Sequence, residues 1–143
     1  MPRADEGLAF LLRYENVAWY ENGEVRILDR RCYPHPVSFV TCKTSAEVAQ
    51  AITDMVTQSA GPYLAAGMGM VLAAHEGAGG NAAEQLRHMR EAADIIANAR
   101  PTTAKRMSQI TTGCLNAAVR AAAANRNIEQ AVFDHVIAIT DAR

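Results

Sequence analysis

The stretch Tyr63–His75 (YLAAGMGMVLAAH) constrains the fold more than any other part of this chain. Its residues are small or apolar nearly all round, so a helix formed here has no polar face to turn to water. Such a helix has to be wrapped by other elements. Gly67 and Gly69 lie inside it, where a missing side chain permits close helix contact rather than phosphate binding. With 143 residues the wrapping belongs to one domain. Half of the residues are apolar, enough for a real core, and plentiful alanine with few aromatics favours closely packed helices.

The elements that could do the wrapping are legible on either side. Residues 1–15 read as an N-terminal tail, polar over Met1–Gly7, and 16–143 as the domain. Asn16–Tyr20 and Glu24–Leu28 flank Asn22-Gly23, two residues that tolerate positive φ and suit a type I′ hairpin turn. Val17 and Trp19 alternate with their neighbours, as do Val25 and Ile27, which gives each strand one buried face. Pro34 and Pro36 keep the connection Asp29–Pro36 out of helix, and Val37–Cys42 is a third short strand.

Helices follow. Thr44-Ser45-Ala46-Glu47 has the spacing of a capping box. Val48, Ala49, Ile52, Met55 and Val56 then recur with helical period. Gln58–Pro62 breaks that helix before the buried one, and Glu76–Asn81 (EGAGGN) is a loop. Leu86, Met89, Ala93 and Ile96 mark the next helix. Pro101 suits the first position of another, with Ala104, Met107, Ile110, Cys114 and Ala118 on one face. Ile128, Val132, His135, Val136 and Ile139 mark the last. The expected class is α+β, mainly α: a small antiparallel hairpin plus a short strand, then a bundle of about five helices.

Several functions lose support. The net charge of −1 gives no whole-surface field for nucleic acid or anionic membrane, and no apolar run reaches the roughly 18 residues of a membrane span. Cys32, Cys42 and Cys114 are odd in number and far apart, which suits a reducing cytoplasm better than a disulfide framework. His35, His75, His88 and His135 form no ligand pair, so no metal is expected. There is no GxGxxG or Walker motif and no nucleophile elbow, so no cofactor is expected either.

Two places invite an anion. From Ile95 to Ile128 there is no acidic residue, yet Arg100, Lys105, Arg106, Arg120 and Arg126 lie there. Arg100 precedes Pro101 at a helix start, where unpaired N–H groups and an arginine can together grip a phosphate. The plainer reading is that these charges form a solvated face. The second place is the turn Gln58–Gly61, with Gln58, Ser59 and Ala60 in it, whose backbone N–H groups would face the start of the buried helix. Read plainly, it is only a helix connection.

The order of these pieces resembles a known family. GEVRILDRRCYPHPVSFVTCKTSAEVAQAITDMV, a Gly/Ala/Pro turn, an Ala/Gly/Met helix ending GMVLAAHE, and ANARPTTAKRM together are similar to the opening domain of methylthioribose-1-phosphate isomerases and the regulatory subunits of initiation factor 2B. The resemblance implies an aldose–ketose isomerase family with a cytoplasmic location. In it the N-terminal domain helps hold the substrate phosphate through an Arg-Gly-Ala turn and the arginine of Arg-Pro-Thr. Arg100 matches that second arginine. At the turn, Gln58 stands in place of Arg, Ser59 in place of Gly, and Ala60 is retained. Gln offers only a neutral hydrogen bond where Arg offers a charged one. The family's catalytic Cys and Asp belong to a Rossmann-like C-terminal domain that is expected to be absent here, so the chain is not expected to be active alone. The partners implied are a catalytic-domain protein or a second copy of the chain, with a sugar phosphate as ligand. The alternative is a non-enzymatic interaction or regulatory module. Self-association is expected through Tyr63–His75 or Ile128–Ile139.

Overall fold

A computed structural model of the chain describes residues 17–31, 38–57 and 61–141. Three antiparallel strands come first: β1 (Ala18–Glu21), β2 (Glu24–Leu28) and β3 (Phe39–Cys42), in that spatial order. Five helices follow: α1 (Ser45–Thr53), α2 (Gly61–Glu76), α3 (Ala82–Ala97), α4 (Ala104–Ala123) and α5 (Ile128–Asp141), with a short 3-10 turn, Pro101–Thr103, leading into α4. The expected α+β, mainly α architecture is what forms.

The centre is α2. Thirteen of its residues, from Gly61 to Ala74, are buried, and it packs against all four other helices and against β1 and β2. Its two central glycines set the spacing. A Cβ on Gly67 would come within 2.8 Å of Val136 on α5, and one on Gly69 within 2.9 Å of Val48 on α1 and 3.0 Å of Ile96 on α3. Side chains here would push the surrounding helices off, at a cost of about 1–3 kcal/mol each.

Asn22 and Gly23 both take positive φ, at 51° and 82°, as a type I′ turn requires. That turn also fixes which face of β1 is buried. It pairs Tyr20 with Val25 and Ala18 with Ile27, and paired residues share a face. Since Val25 and Ile27 point into the core, so do Ala18 and Tyr20. The expectation that Val17 and Trp19 line the inner face is therefore corrected. Both are half-buried, and Trp19 meets the Phe133 ring edge-on at 5.3 Å on the other side. Strand β1 also begins at Ala18 rather than Asn16, and β3 at Phe39 rather than Val37, with Val37 outside the described residues.

Helix α1 starts on the expected capping box. Glu47 N–H donates to Thr44 Oγ1 at 3.1 Å, and Thr44 N–H donates back to Glu47 Oε1 at 3.1 Å. Its end differs from expectation. Met55 is not on the buried helical face. It is half-exposed at φ 64°, in the left-handed position after the cap residue Asp54. Val56 N–H donates to Ala51 O and Met55 N–H to Ile52 O, the bond pair of a Schellman motif. The reversal is what brings Val56 and Thr57 back into the core.

No helix of the described residues is long and apolar enough to cross a membrane. Cys42 and Cys114 are free and buried. Burial, with Glu47 adding, pushes the Cys42 thiol up to about 11, and burial pushes Cys114 up to about 12. Neither is a thiolate at neutral pH, so neither is a ready nucleophile. Cys32 and His35 lie outside the described residues.

Candidate functional site

Of the two places that the sequence marked for an anion, Arg100 is described, and it reaches the residue that precedes the other. Arg100 precedes a proline, which forces its backbone to an extended φ of −133° and ψ of 109°. From there its side chain reaches across the end of α1. Nε donates to Ile52 O at 2.9 Å and Nη2 to Thr57 O at 2.6 Å. Thr57 is the residue immediately before the turn 58–60. Gln58, Ser59 and Ala60 themselves lie outside the described residues, and α2 begins directly after them at Gly61. Arg100 is thus anchored at one end of the turn, and the start of a 16-residue helix stands at the other.

Neighbouring segments lock this arrangement. Thr53 Oγ1 donates to Ala99 O at 2.9 Å, tying α1 to the residue before Arg100. Thr103 N–H donates to Arg100 O at 3.1 Å. Arg30 N–H donates to Val56 O at 2.7 Å, tying the end of β2 to the same corner. Gly61 permits the tightest approach: a Cβ there would stand 2.0 Å from Thr57 Oγ1. Thr57 is 2 % exposed. These contacts hold Arg100 half-buried, whereas Lys105, Arg106, Arg120 and Arg126 are exposed. The solvated-face reading fits those four and not Arg100.

The electrostatics favour an anion. Neither the first turn of α2 nor the start of α4 carries an acidic residue. The unpaired N–H groups and dipole of a helix start attract negative charge. A guanidinium has five N–H groups. Two of Arg100's are committed to carbonyls, and Nη1 makes no hydrogen bond among the described residues. Beside this corner, a cavity of about 300 Å³ is lined by Tyr63, Thr102, Thr103, Lys105, Arg106 and Gln109. The Arg106 guanidinium sits 5.1 Å from the centre of the Tyr63 ring.

At the far end of α2 the polar groups satisfy one another. Glu76 accepts from Ser45 N–H at 3.0 Å and Ser45 Oγ–H at 2.6 Å, and pairs with His88 Nε2 at 2.9 Å. Glu129 accepts from the Tyr20 hydroxyl at 2.6 Å and pairs with His75 Nδ1 at 3.0 Å. Burial and the Glu129 carboxylate push the Tyr20 hydroxyl's pKa well above its ordinary value, which keeps it a donor. These contacts staple the hairpin, α1, α3 and α5 to α2. Among the described residues no group of three metal-ligating side chains converges.

Sequence reasoning singled out Arg100 and the turn Gln58–Gly61 but not Thr57. Nothing in the local pattern pointed to the Ile52 and Thr57 carbonyls as partners of Arg100.

A sheet-flanked helical domain with a basic residue clamped beside a helix-start turn defines the class. No protein-family model matches the chain. Individual relatives do. The chain is 40% identical over 85 residues to a methylthioribose-1-phosphate isomerase of Pseudothermotoga lettingae, covering 59% of this chain and 24% of that protein. It is 38% identical over 98 residues to the methylthioribose-1-phosphate isomerase of Roseiflexus castenholzii, covering 65% and 27%. Among solved structures, the delta subunit of translation initiation factor eIF-2B from A. fulgidus superposes with a TM-score of 0.75 at 24% identity, over 87% of this chain and 37% of that one. A 5-methylthioribose 1-phosphate isomerase from Pyrococcus horikoshii OT3 gives 0.70 at 24% identity, over 83% and 35%. These likenesses support a place for the chain beside the methylthioribose-1-phosphate isomerases, the two solved structures share its fold, and the partial coverage fits an N-terminal domain. The chain spans about a quarter of the length of the curated relatives it matches.

Proposed function

We propose that this chain is a phosphate-gripping and assembly domain of a sugar-phosphate aldose–ketose isomerase, working with a separately encoded catalytic domain. One observation carries the reading: Arg100 is hydrogen-bonded to Thr57 O, so it stands at the edge of the turn formed by Gln58, Ser59 and Ala60 and beside the start of α2. A phosphate there receives helix-start N–H groups and the remaining guanidinium N–H groups together. The test is ribose 5-phosphate binding by the full chain, followed by 15N NMR. Shifts are expected at Gly61, Tyr63 and the Arg100 side chain, and Gln58→Arg should tighten binding about tenfold by restoring a charged contact. A spectrum that ignores the ligand at saturating concentration overturns the reading. Co-expression with a catalytic-domain protein should give a stable complex.

A second reading draws on the same arginine. Two carbonyl bonds give Arg100 a structural task that needs no ligand, and Gln58 supplies no charge. Those facts suit a non-enzymatic interaction module related to initiation factor 2B subunits. It predicts that sugar phosphates leave the chain unchanged while a protein partner or a second copy binds it.

A further inference from the structure

Helix α3 turns to solvent a face whose charges have no partners. Arg87, Arg90, Glu91 and Asp94 are all exposed, and their side chains make no hydrogen bond or ion pair among the described residues. Arg87 and Glu91 stand four apart, as do Arg90 and Asp94, the spacing at which neighbours on a helix can pair. The signs are sorted along the helix: both arginines come first and both carboxylates after them. A large apolar residue flanks this block on each side. Leu86 lies before it, half-buried, and Ile95 lies after it, 54 % exposed. Beside α3 runs a groove of about 400 Å³, walled by Arg90, Glu91 and Asp94 and, from α4, by Ser108, Thr112 and Leu115. One turn beyond Leu115 stands Val119, 44 % exposed.

This pattern maps onto itself when the helix is reversed. A two-fold axis crossing α3 between Arg90 and Glu91 sets the helix antiparallel to its copy. Arg90 then faces Glu91 of the second copy, Arg87 faces Asp94, and Leu86 faces Ile95. Each pairing recurs on the other side of the axis, as an isologous interface requires. We propose that the chain forms a two-fold dimer through this face of α3, the occupant being a second copy of itself. Each Ile95 is covered by Leu86 and Val119 of the other copy. Exposed ion pairs contribute little each, so burial of Ile95 carries most of the affinity, while the charges fix direction and register. The mixed signs disfavour other occupants. A polyanion meets Glu91 and Asp94 as well as the arginines, and a peptide of one charge meets half of the face with the wrong sign. Helix α2, enclosed by the bundle, offers no comparable surface. The proposal does not depend on phosphate binding.

The test uses two altered full-length chains. One carries Arg87→Glu and Arg90→Glu, which makes the face wholly acidic. The other carries Glu91→Arg and Asp94→Arg, which makes it wholly basic. Sedimentation velocity should show the unaltered chain as a reversible dimer. Each altered chain alone should dimerise at least about tenfold more weakly, because like charges then meet across the axis. An equal mixture of the two should dimerise again. Ile95→Asp, a single change at an exposed position, should also weaken the dimer about tenfold, and it keeps the test decisive if a charge variant fails to fold. A clean monomer of the unaltered chain at high concentration overturns the proposal. A dimer that the charge variants and Ile95→Asp leave intact overturns it too, since the contact then lies on another face. So does a mixture of folded acidic and basic chains that stays monomeric.

Discussion

Arg100 donates through Nη2 to the carbonyl oxygen of Thr57 over 2.6 Å, and through Nε to Ile52 O over 2.9 Å, so one side chain from beyond the end of α3 closes the end of α1. Hydrogen bonds from a charged donor are worth about 1.5–3 kcal/mol each when their partners would otherwise be left unpaired. Arg100 is half-buried, so the lower end applies. Arg100→Ala should destabilise the chain by about 3 kcal/mol and lower its melting temperature by roughly 6–12 °C. Arg100→Lys should recover less than half of this, because an ammonium cannot span both carbonyls with the fork geometry of a guanidinium. Thermal melts of the two variants settle the matter, and an alanine variant as stable as the original chain would refute the clamp.

Met55 sits in the left-handed region at φ 64°, where a side chain costs about 1 kcal/mol and glycine does not. The Schellman bonds around it are backbone ones and survive substitution. Asn125 occupies the same position after α4, at φ 56°, with the matching pair of bonds from Asn125 and Arg126. Met55→Gly should therefore stabilise the chain by about 0.5–1 kcal/mol, with the unfolded-state entropy of glycine keeping the gain small. A urea midpoint that falls in this variant would mean that the half-exposed side chain contributes more than the strain removes.

Stability should weaken in mild acid. His135 lies half-buried on α5 with Nε2 against Gly113, where a Cβ would come within 3.0 Å. Burial, then the Arg120 charge, pushes its pKa below the ordinary 6.5. The unfolded chain therefore binds the proton first. His135 costs nothing above about pH 6.5, and its cost grows as the pH falls from there toward the folded value. Asp29 adds a lower step. The Arg31 guanidinium, at 3.0 and 2.8 Å, holds its carboxyl below the ordinary 3.8. Its contribution is present above that pH and is lost as the pH falls through the folded value. Denaturant midpoints measured across this range should decline in two steps. His135→Asn should remove the upper step and Asp29→Asn the lower one; an unchanged profile in His135→Asn would disprove the assignment.

The parts of the fold that were legible in the sequence are those encoded locally. The all-apolar α2, the Thr44–Glu47 capping box and the Asn22-Gly23 turn each depend on residues within a few positions. The inward face of β1 was misread because Trp19 is the large apolar residue of that strand. The turn register, not side-chain size, decides the face, and Phe133 shelters Trp19 on the other side. Met55 was misread because it continues the helical period of α1 one step past the point where the backbone reverses. At the site, Arg100 was legible as a charge before a proline, but its partners were not. Ile52 and Thr57 are 48 and 43 positions away and contribute carbonyls, which leave no mark on a sequence.

Gly61 and Thr57 should behave as a coupled pair. A Cβ on Gly61 would stand 2.0 Å from Thr57 Oγ1, far inside any allowed contact, and both residues are buried with no room to separate. Gly61→Ala should therefore destabilise the chain by about 1–3 kcal/mol. Replacing Thr57 by alanine removes Oγ1 and leaves its Cβ as the nearest Thr57 atom, at 3.4 Å, which is ordinary contact. The double variant Gly61→Ala with Thr57→Ala should then be more stable than Gly61→Ala alone, with a coupling of about 1 kcal/mol or more in a double-mutant cycle. Additive losses would show that α2 begins farther from Thr57 than 2.0 Å implies, and the buried hydroxyl would then no longer face the helix start.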